Sequence, residues 1–255
     1  VKPLPQNASL FNLLRLQEFG GRKECLAMLK NGAVEWAHEP ADETIEPIDF
    51  AWAVERNGDR TFDTQGLWIR YNGLALPVLP ALYLAMNKPA GVECSHASDA
   101  HESVFTFFPE PFLKRGLEPV GRLDADTTGL LILTNDGLLN HAITSPRHKQ
   151  PKVYRVTFKH PLTDEQITAL EAGVVLRDDP KPTEPATVKR LGEREADIII
   201  SEGRYHQIKR MGAAVGNRVE SIHRTAVGDF ELGDLPEGEW RFLTADEVDA
   251  LRIVS

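Results

Sequence analysis

No apolar run in this chain approaches the roughly 18 residues that would suggest a membrane span. The opening, VKPLPQNASL, lacks the charged-then-apolar order of a signal peptide, so a cytosolic (cytoplasmic) protein without a membrane partner is expected. Only two cysteines occur, Cys25 and Cys94, far apart and outside any CxxC or His-x-Cys setting. That excludes a disulfide framework, gives no zinc signature, and leaves both as small buried residues. A surplus of positive charge is also missing: 29 Lys and Arg face 38 Asp and Glu, a formal charge of −9. Such a balance argues against nucleic acid held by bulk charge, because phosphate neutralisation draws on spare Lys and Arg. What remains is an ordinary soluble composition, 42% hydrophobic and 26% charged over 255 residues. The length suits one sizeable core with a small accessory domain.

The charge is unevenly spread. Between Glu202 and Arg224 the chain carries Arg204, Lys209, Arg210, Arg218 and Arg224 against Glu202 and Glu220, a local surplus of three. A basic strip on an acidic protein is therefore possible.

The first segment reads as a small helix pair. Ser9 can cap a helix bearing Leu10, Leu13, Leu14 and Gln17, which Gly20-Gly21 ends; a second helix, 22–31, places Cys25, Met28 and Leu29 on one face before Gly32 and a short strand, Val34 to Trp36. The run GGRKECLAMLKNGAVEW resembles the S4 RNA-binding module, and that resemblance implies RNA contacts from Arg22, Lys23 and Lys30. Residues 1–60 hold seven Lys or Arg against ten Asp or Glu, a departure from the basic pattern of such modules. Gly66, Gly73, Pro77 and Pro80 mark 61–80 as a linker, with a second domain over 81–255.

In that domain 82–86, 130–134, 153–159, 174–176, 186–189 and 197–201 read as strands. Thr163-x-x-Gln166 and Thr244-x-x-Glu247 are capping boxes. Without a regular βαβ repeat, the fold class predicted is α+β, with a largely antiparallel mixed sheet flanked by helices.

GRLDADTTGLLILTND, Gly121 to Asp136, holds the chemistry. Asp124-x-Asp126-x-Thr128 matches the DxDxT of aspartate-dependent phosphohydrolases, but there the acid ends an apolar strand, whereas here the apolar run Leu130 to Leu133 follows it. The two carboxylates could serve as a glycosidase pair, or could simply be solvated in a turn.

The same stretch resembles the signature of pseudouridine synthases that modify ribosomal RNA. MNKPAG at 86–91, KVYRV at 152–156, SPRH at 145–148, EGRYHQIKRM at 202–211 and VGNRVESIHR at 215–224 follow in the family's order. The resemblance covers 81–255, and TSPRH, EGRYHQIKRM and IHR resemble most the members acting on small-subunit (16S) rRNA, with large-subunit members similar. It implies a cofactor-free isomerisation of uridine, on free RNA or on an assembly intermediate, with Asp124 acting at the sugar, Lys209 as its cationic partner and Tyr154 stacking on the displaced uracil. It further implies that Arg122 holds the target base out, that Arg204 and Arg210 contact phosphate, and that Lys88, Pro89 and Gly91 shape a pocket wall. A rRNA-binding or assembly protein that has lost activity is the alternative, and the intact Asp124, Tyr154 and Lys209 oppose it. Nothing in the sequence calls for more than a monomer or for a metal.

Overall fold

The computed structural model describes residues 3–32, 34–38, 51–52, 61–71, 73–97, 100–145 and 150–252. The motif residues 146–148 of SPRH lie outside these. Two compact units result, Val1–Leu82 with Phe108–Leu117, and Tyr83–Phe107 with Glu118–Ser255.

In the first unit β1 (Asn7–Ser9) leads into α1 (Leu10–Leu16), capped as expected by Ser9, whose hydroxyl accepts from the Asn12 amide at 3.3 Å. Next come α2 (Arg22–Lys30), β2 (Val34–His38), β3 (Ala51–Trp52), β4 (Thr61–Asp63), β5 (Leu67–Tyr71) and β6 (Leu74–Pro77). A later excursion of the chain adds α3 (Glu110–Lys114). The strands pair as β1-β4 and as an antiparallel sheet β3-β2-β5-β6. Leu10, Leu13 and Leu14 of α1 meet Cys25, Leu29, Val34, Phe62, Leu67 and Ile69 in one core. The linker expected over 61–80 is therefore corrected: it is β4, β5 and β6. Its glycines are turn formers, Gly66 and Gly73 having φ of 63° and 79°.

The second unit is built on one large sheet. Its elements are β7 (Tyr83–Lys88), β8 (Val92–Glu93), β9 (Glu102–Ser103), β10 (Glu118–Pro119), β11 (Thr128–Thr134), α4 (Gly137–Thr144), β12 (Lys152–Phe158), α5 (Asp164–Ala172), β13 (Thr187–Arg190), β14 (Glu195–Ile200), α6 (Gln207–Ala214), β15 (Val219–Val227), β16 (Phe230–Glu231), β17 (Trp240–Phe242) and α7 (Ala245–Arg252). The strand order is β13-β14-β12-β15-β11-β7-β17. Within it only β11 and β15 run parallel, so the α+β class with a largely antiparallel sheet is what the chain forms. The strand expected at 174–176 does not form; Leu176 makes a lone bridge to Asp179.

One face of β12, β14 and β15 carries Val156, Phe158, Ile198, Ile200 and Ile222 against Ile208 and Met211 of α6 and Leu170 of α5. This is the apolar stripe expected of the segment after Arg204. Both boxes form: Thr163 caps α5 with Gln166, and Thr244 pairs with Glu247 before α7. Cys25 and Cys94 are buried and free. No helix among the described residues is long and apolar enough to cross a membrane.

Candidate active site

The loop 120–127 joins β10 to β11 and presents Asp124. Its turn closes with the Thr127 amide donating to the Asp124 carbonyl at 3.1 Å, and Gly121 adopts φ 73°, a backbone that only glycine takes without strain. The loop is clamped from behind by the MNKPAG turn. Lys88, fully buried, donates its three N–H groups to the carbonyls of Pro89, Val92 and Ala125, and the Gly91 amide donates to the same Ala125 oxygen at 2.8 Å. Burial pulls the Lys88 amine below its ordinary range while Cys94, Asp126 and Asp124 oppose that shift. Lys88, Pro89 and Gly91 thus do not form the cleft wall expected of them. They brace the residue that follows Asp124.

Downstream of Asp124, Gly129 has φ 99°, and a Cβ there would stand 2.3 Å from the Arg224 carbonyl oxygen. Only glycine lets β11 close on β15. Thr128 then reaches across, its Oγ1 2.8 Å from Nδ1 of His223.

The second half of the site comes from the start of α6. His206 caps the helix with a left-handed backbone, φ 47°, which turns its side chain and that of Lys209 toward the loop. The two stand three residues apart on one helical face. His206 Nε2 lies 3.4 Å from Asp124 Oδ1 and Lys209 Nζ 3.3 Å from Oδ2, so each carboxylate oxygen faces a different nitrogen base. Lys209 also donates to Asp126 Oδ1 at 2.6 Å. Burial works against the charge on Lys209, but the hydrogen bond to Asp126 and the charges of both aspartates win and raise its pKa. Asp126 is the mirror case: burial opposes its charge, and the Lys209 hydrogen bond, the Lys209 charge, its own backbone amide and the His206 charge together outweigh that and hold it below the usual carboxylate range.

A cleft of about 120 Å³ opens beside this pair, lined by Arg122, Asp124, Thr127, Tyr154, Ile200, His206, Gln207 and Ile222 among others. Tyr154 enters from β12, half-buried, packed at the edge of the core that holds Val156 and Phe158. Arg122 is exposed at the rim and makes no hydrogen bond or ion pair among the described residues. Sequence reasoning thus placed Asp124, Tyr154, Arg122 and Lys209 together, and the folded chain brings them together.

Arg204 differs from expectation. Its guanidinium donates to Glu202, Asp179 and the carbonyls of Lys181 and Pro182, so four of its five N–H groups are committed to the protein. Together with Gln207, which donates to Glu202 at 2.6 Å, it fixes the entry to α6. Arg210 donates once, to the Tyr205 carbonyl, and keeps the rest of its fork free of carboxylates among the described residues. In the first unit Arg22, Lys23 and Lys30 are exposed along α2, with the Arg22 guanidinium 5.7 Å over the Phe11 ring.

His206 is the residue that sequence reasoning missed. A histidine three before the expected cation, at the start of an apolar helix, was the available signal. Next to it Tyr205, 76% exposed, stacks on the imidazole at 3.7 Å between ring centroids.

Comparison with known proteins matches residues 82–214 to the RNA pseudouridylate synthase family. Two curated relatives are both called ribosomal small subunit pseudouridine synthase A. The one from Pasteurella multocida is 44% identical over 197 residues, covering 76% of this chain and 84% of that protein. The one from Vibrio vulnificus is 37% identical over 233 residues, covering 90% and 93%. A solved structure described as a pseudouridylate synthase superposes with a TM-score of 0.65 at 34% identity, covering 95% of this chain and 98% of that one. With a matched family model over half its length and relatives this similar over most of it, the chain belongs to the RNA pseudouridylate synthase family.

Proposed function

We propose that this protein isomerises uridine to pseudouridine in ribosomal RNA of the small subunit, with Asp124 as the acting carboxylate. The observation that carries the reading is Asp124 itself: it opens on a cleft between Arg122 and Tyr154 with one oxygen facing Lys209 and the other His206. The small-subunit target rests on the relatives' names.

The reaction breaks the bond from the sugar C1′ to uracil N1, turns the freed base and joins C5 to the same carbon. N1 gains a proton and the hydrogen of C5 leaves to solvent, so no redox partner or cofactor is required. Lys209, with its second tie to Asp126, sets a cation 3.3 Å from the Asp124 carboxylate. The target base must first leave its stack, at about a few kcal/mol when paired. Arg122, with no partner among the described residues, can occupy the space vacated, and Tyr154 can stack on the base, an interaction worth about 1–3 kcal/mol on aromatic platforms. Arg210 is the phosphate contact on this side, and α2 of the S4-like first unit supplies Arg22, Lys23 and Lys30. The working unit in this reading is a cytoplasmic monomer acting on RNA or an assembly intermediate.

Release of tritium from C5-labelled uridine in 16S rRNA tests this, because isomerisation exchanges that hydrogen and binding does not. Release that depends on Asp124 supports the proposal. Tight binding without release would make the protein an assembly factor.

A further inference from the structure

Two cations on the cleft-bearing face of the large sheet have no carboxylate to answer them. Arg224 is only 4% exposed; its Nε donates to the Leu130 carbonyl at 2.7 Å, where β11 and β15 part, and its terminal nitrogens have no partner among the described residues. Lys152 is half-buried, donates to the Gln150 carbonyl at 2.8 Å, and likewise meets no carboxylate among the described residues. The strand register fixes their place. Arg224 lies directly opposite Tyr154, and Lys152 sits two residues before Tyr154 on the same face, opposite Ile200. Tyr154, Ile200 and Ile222 of that face line the cleft that holds Asp124.

The two charges feel one another: burial, and then the Arg224 charge, push the Lys152 amine below its ordinary range. Other screened cations of this unit are compensated. Arg204 has Asp179 and Glu202, Lys209 has Asp124 and Asp126, Arg241 has Glu247, and Lys88 has three carbonyls. Holding two like charges together away from water disfavours the fold unless an anion joins them. The hydrogen bond to Leu130 explains why an arginine bridges the strands. It does not explain why a lysine is brought beside it.

We propose that Lys152 and Arg224 form an anion subsite beside Tyr154 that takes one phosphodiester of the RNA strand next to the target nucleotide. The assignment rests on the uridine isomerase reading for its ligand. The free end of the Arg224 guanidinium supplies paired donors that suit two phosphate oxygens, and Lys152 adds a compact charge. One phosphodiester carries the single negative charge that the pair lacks. Held there, it fixes the strand while the base turns against Tyr154, and so contributes to placing C1′ near Asp124.

The test uses the full-length protein and a 16S rRNA transcript carrying C5-tritiated uridine. RNA affinity is measured across a potassium chloride series, with tritium release followed in parallel. Lys152→Met keeps the aliphatic stem; it is expected to weaken RNA affinity at least tenfold and to lower the salt slope by about 0.7, the share of one single-strand phosphate contact. Lys152→Arg should restore both. Inorganic phosphate, exchanged for chloride at constant ionic strength, should compete with RNA on the parent and not on Lys152→Met. Unchanged affinity and slope in a Lys152→Met protein that melts like the parent would overturn the proposal, and should that variant melt early, Lys152→Gln is read in its place. Phosphate competition that vanishes in the variant while the slope stays the same would give the site to a free anion and remove it from RNA. If the parent binds RNA but releases no tritium, the isomerase reading fails, and the binding measurements still judge the subsite separately.

Discussion

Lys209 gives its shortest hydrogen bond, 2.6 Å, to Asp126. The cation that faces Asp124 is therefore steered by the second carboxylate of the same loop, whose side chain is 69% exposed. The two acids have unequal tasks. Asp124→Asn keeps the shape and removes the anion, and a loss of about 10³-fold or more in single-turnover tritium release is expected. Asp126→Asn removes the second negative charge on Lys209 while keeping an acceptor oxygen, and should cost only a few fold. Equal losses at both positions would restore the paired-carboxylate reading.

The same pair sets a pH response. Asp126 is held below the usual carboxylate value, so its contribution to stability is present above the unfolded value of about 3.9 and is lost as pH falls through the lower folded one. Lys209 is raised, so its contribution is present below the unfolded value of about 10.4 and is lost as pH rises through the folded one. Both groups are partly in water, and the stability at stake is small. Activity is more sensitive. Lys209→Met removes the cation facing Asp124, and the acidic limb of the rate-against-pH profile should move upward; an unchanged limb would show that His206 alone, or neither residue, supports the carboxylate.

How far the chain could be read depended on which residues pointed to local chemistry. Ser9, Thr163 and Thr244 announce their helices because a hydroxyl cap needs no distant partner. Asp124, Tyr154 and Lys209 could be grouped only through ordered motifs, since they come from a loop, a strand and a helix separated by up to 85 positions from 124 to 209. The strand β15 was illegible: VESIHRTAV mixes charge and hydroxyls with apolar residues, and its strand character comes from pairing with β12 and β11 rather than from its own period. The fate of Arg204 was hidden for a similar reason. Asp179, which takes its guanidinium, stands 25 residues away. The glycines and prolines of 61–80 misled because hairpin turns and linkers use the same residues.

Gly129 offers a test of the scaffold alone. A methyl group there would collide with the Arg224 backbone oxygen at 2.3 Å, and the φ of 99° is strained for any side chain. Neither obstacle can be relieved by rotating a side chain, because the neighbour is main chain. Gly129→Ala should destabilise the protein by about 2–3 kcal/mol, read as a fall of roughly 5–10 °C in Tm. A melt within 2 °C of the parent, taking roughly 1 kcal/mol as the resolution, would mean that β11 and β15 tolerate separation.

The first unit calls for substitution rather than deletion. Removing residues 1–60 takes away β2, the partner of β5, and β1, the partner of β4, and strips cover from Leu67 and Ile69. Such a truncation is expected to aggregate through its orphaned strand edges, so its loss of activity would say nothing about RNA. Replacing Arg22, Lys23 and Lys30 together by Gln leaves the core of α2, Cys25 and Leu29, untouched because all three are exposed. If each meets one phosphate on a single strand, the slope of log affinity against log salt should become shallower by about 2, at roughly 0.7 per contact. KM should rise while turnover at saturating RNA survives, since Asp124, Tyr154 and Lys209 all belong to the second unit. A triple variant that melts like the parent and keeps its full salt slope would show that α2 does not hold RNA. Loss of turnover at saturation would instead make the first unit a participant in the chemistry.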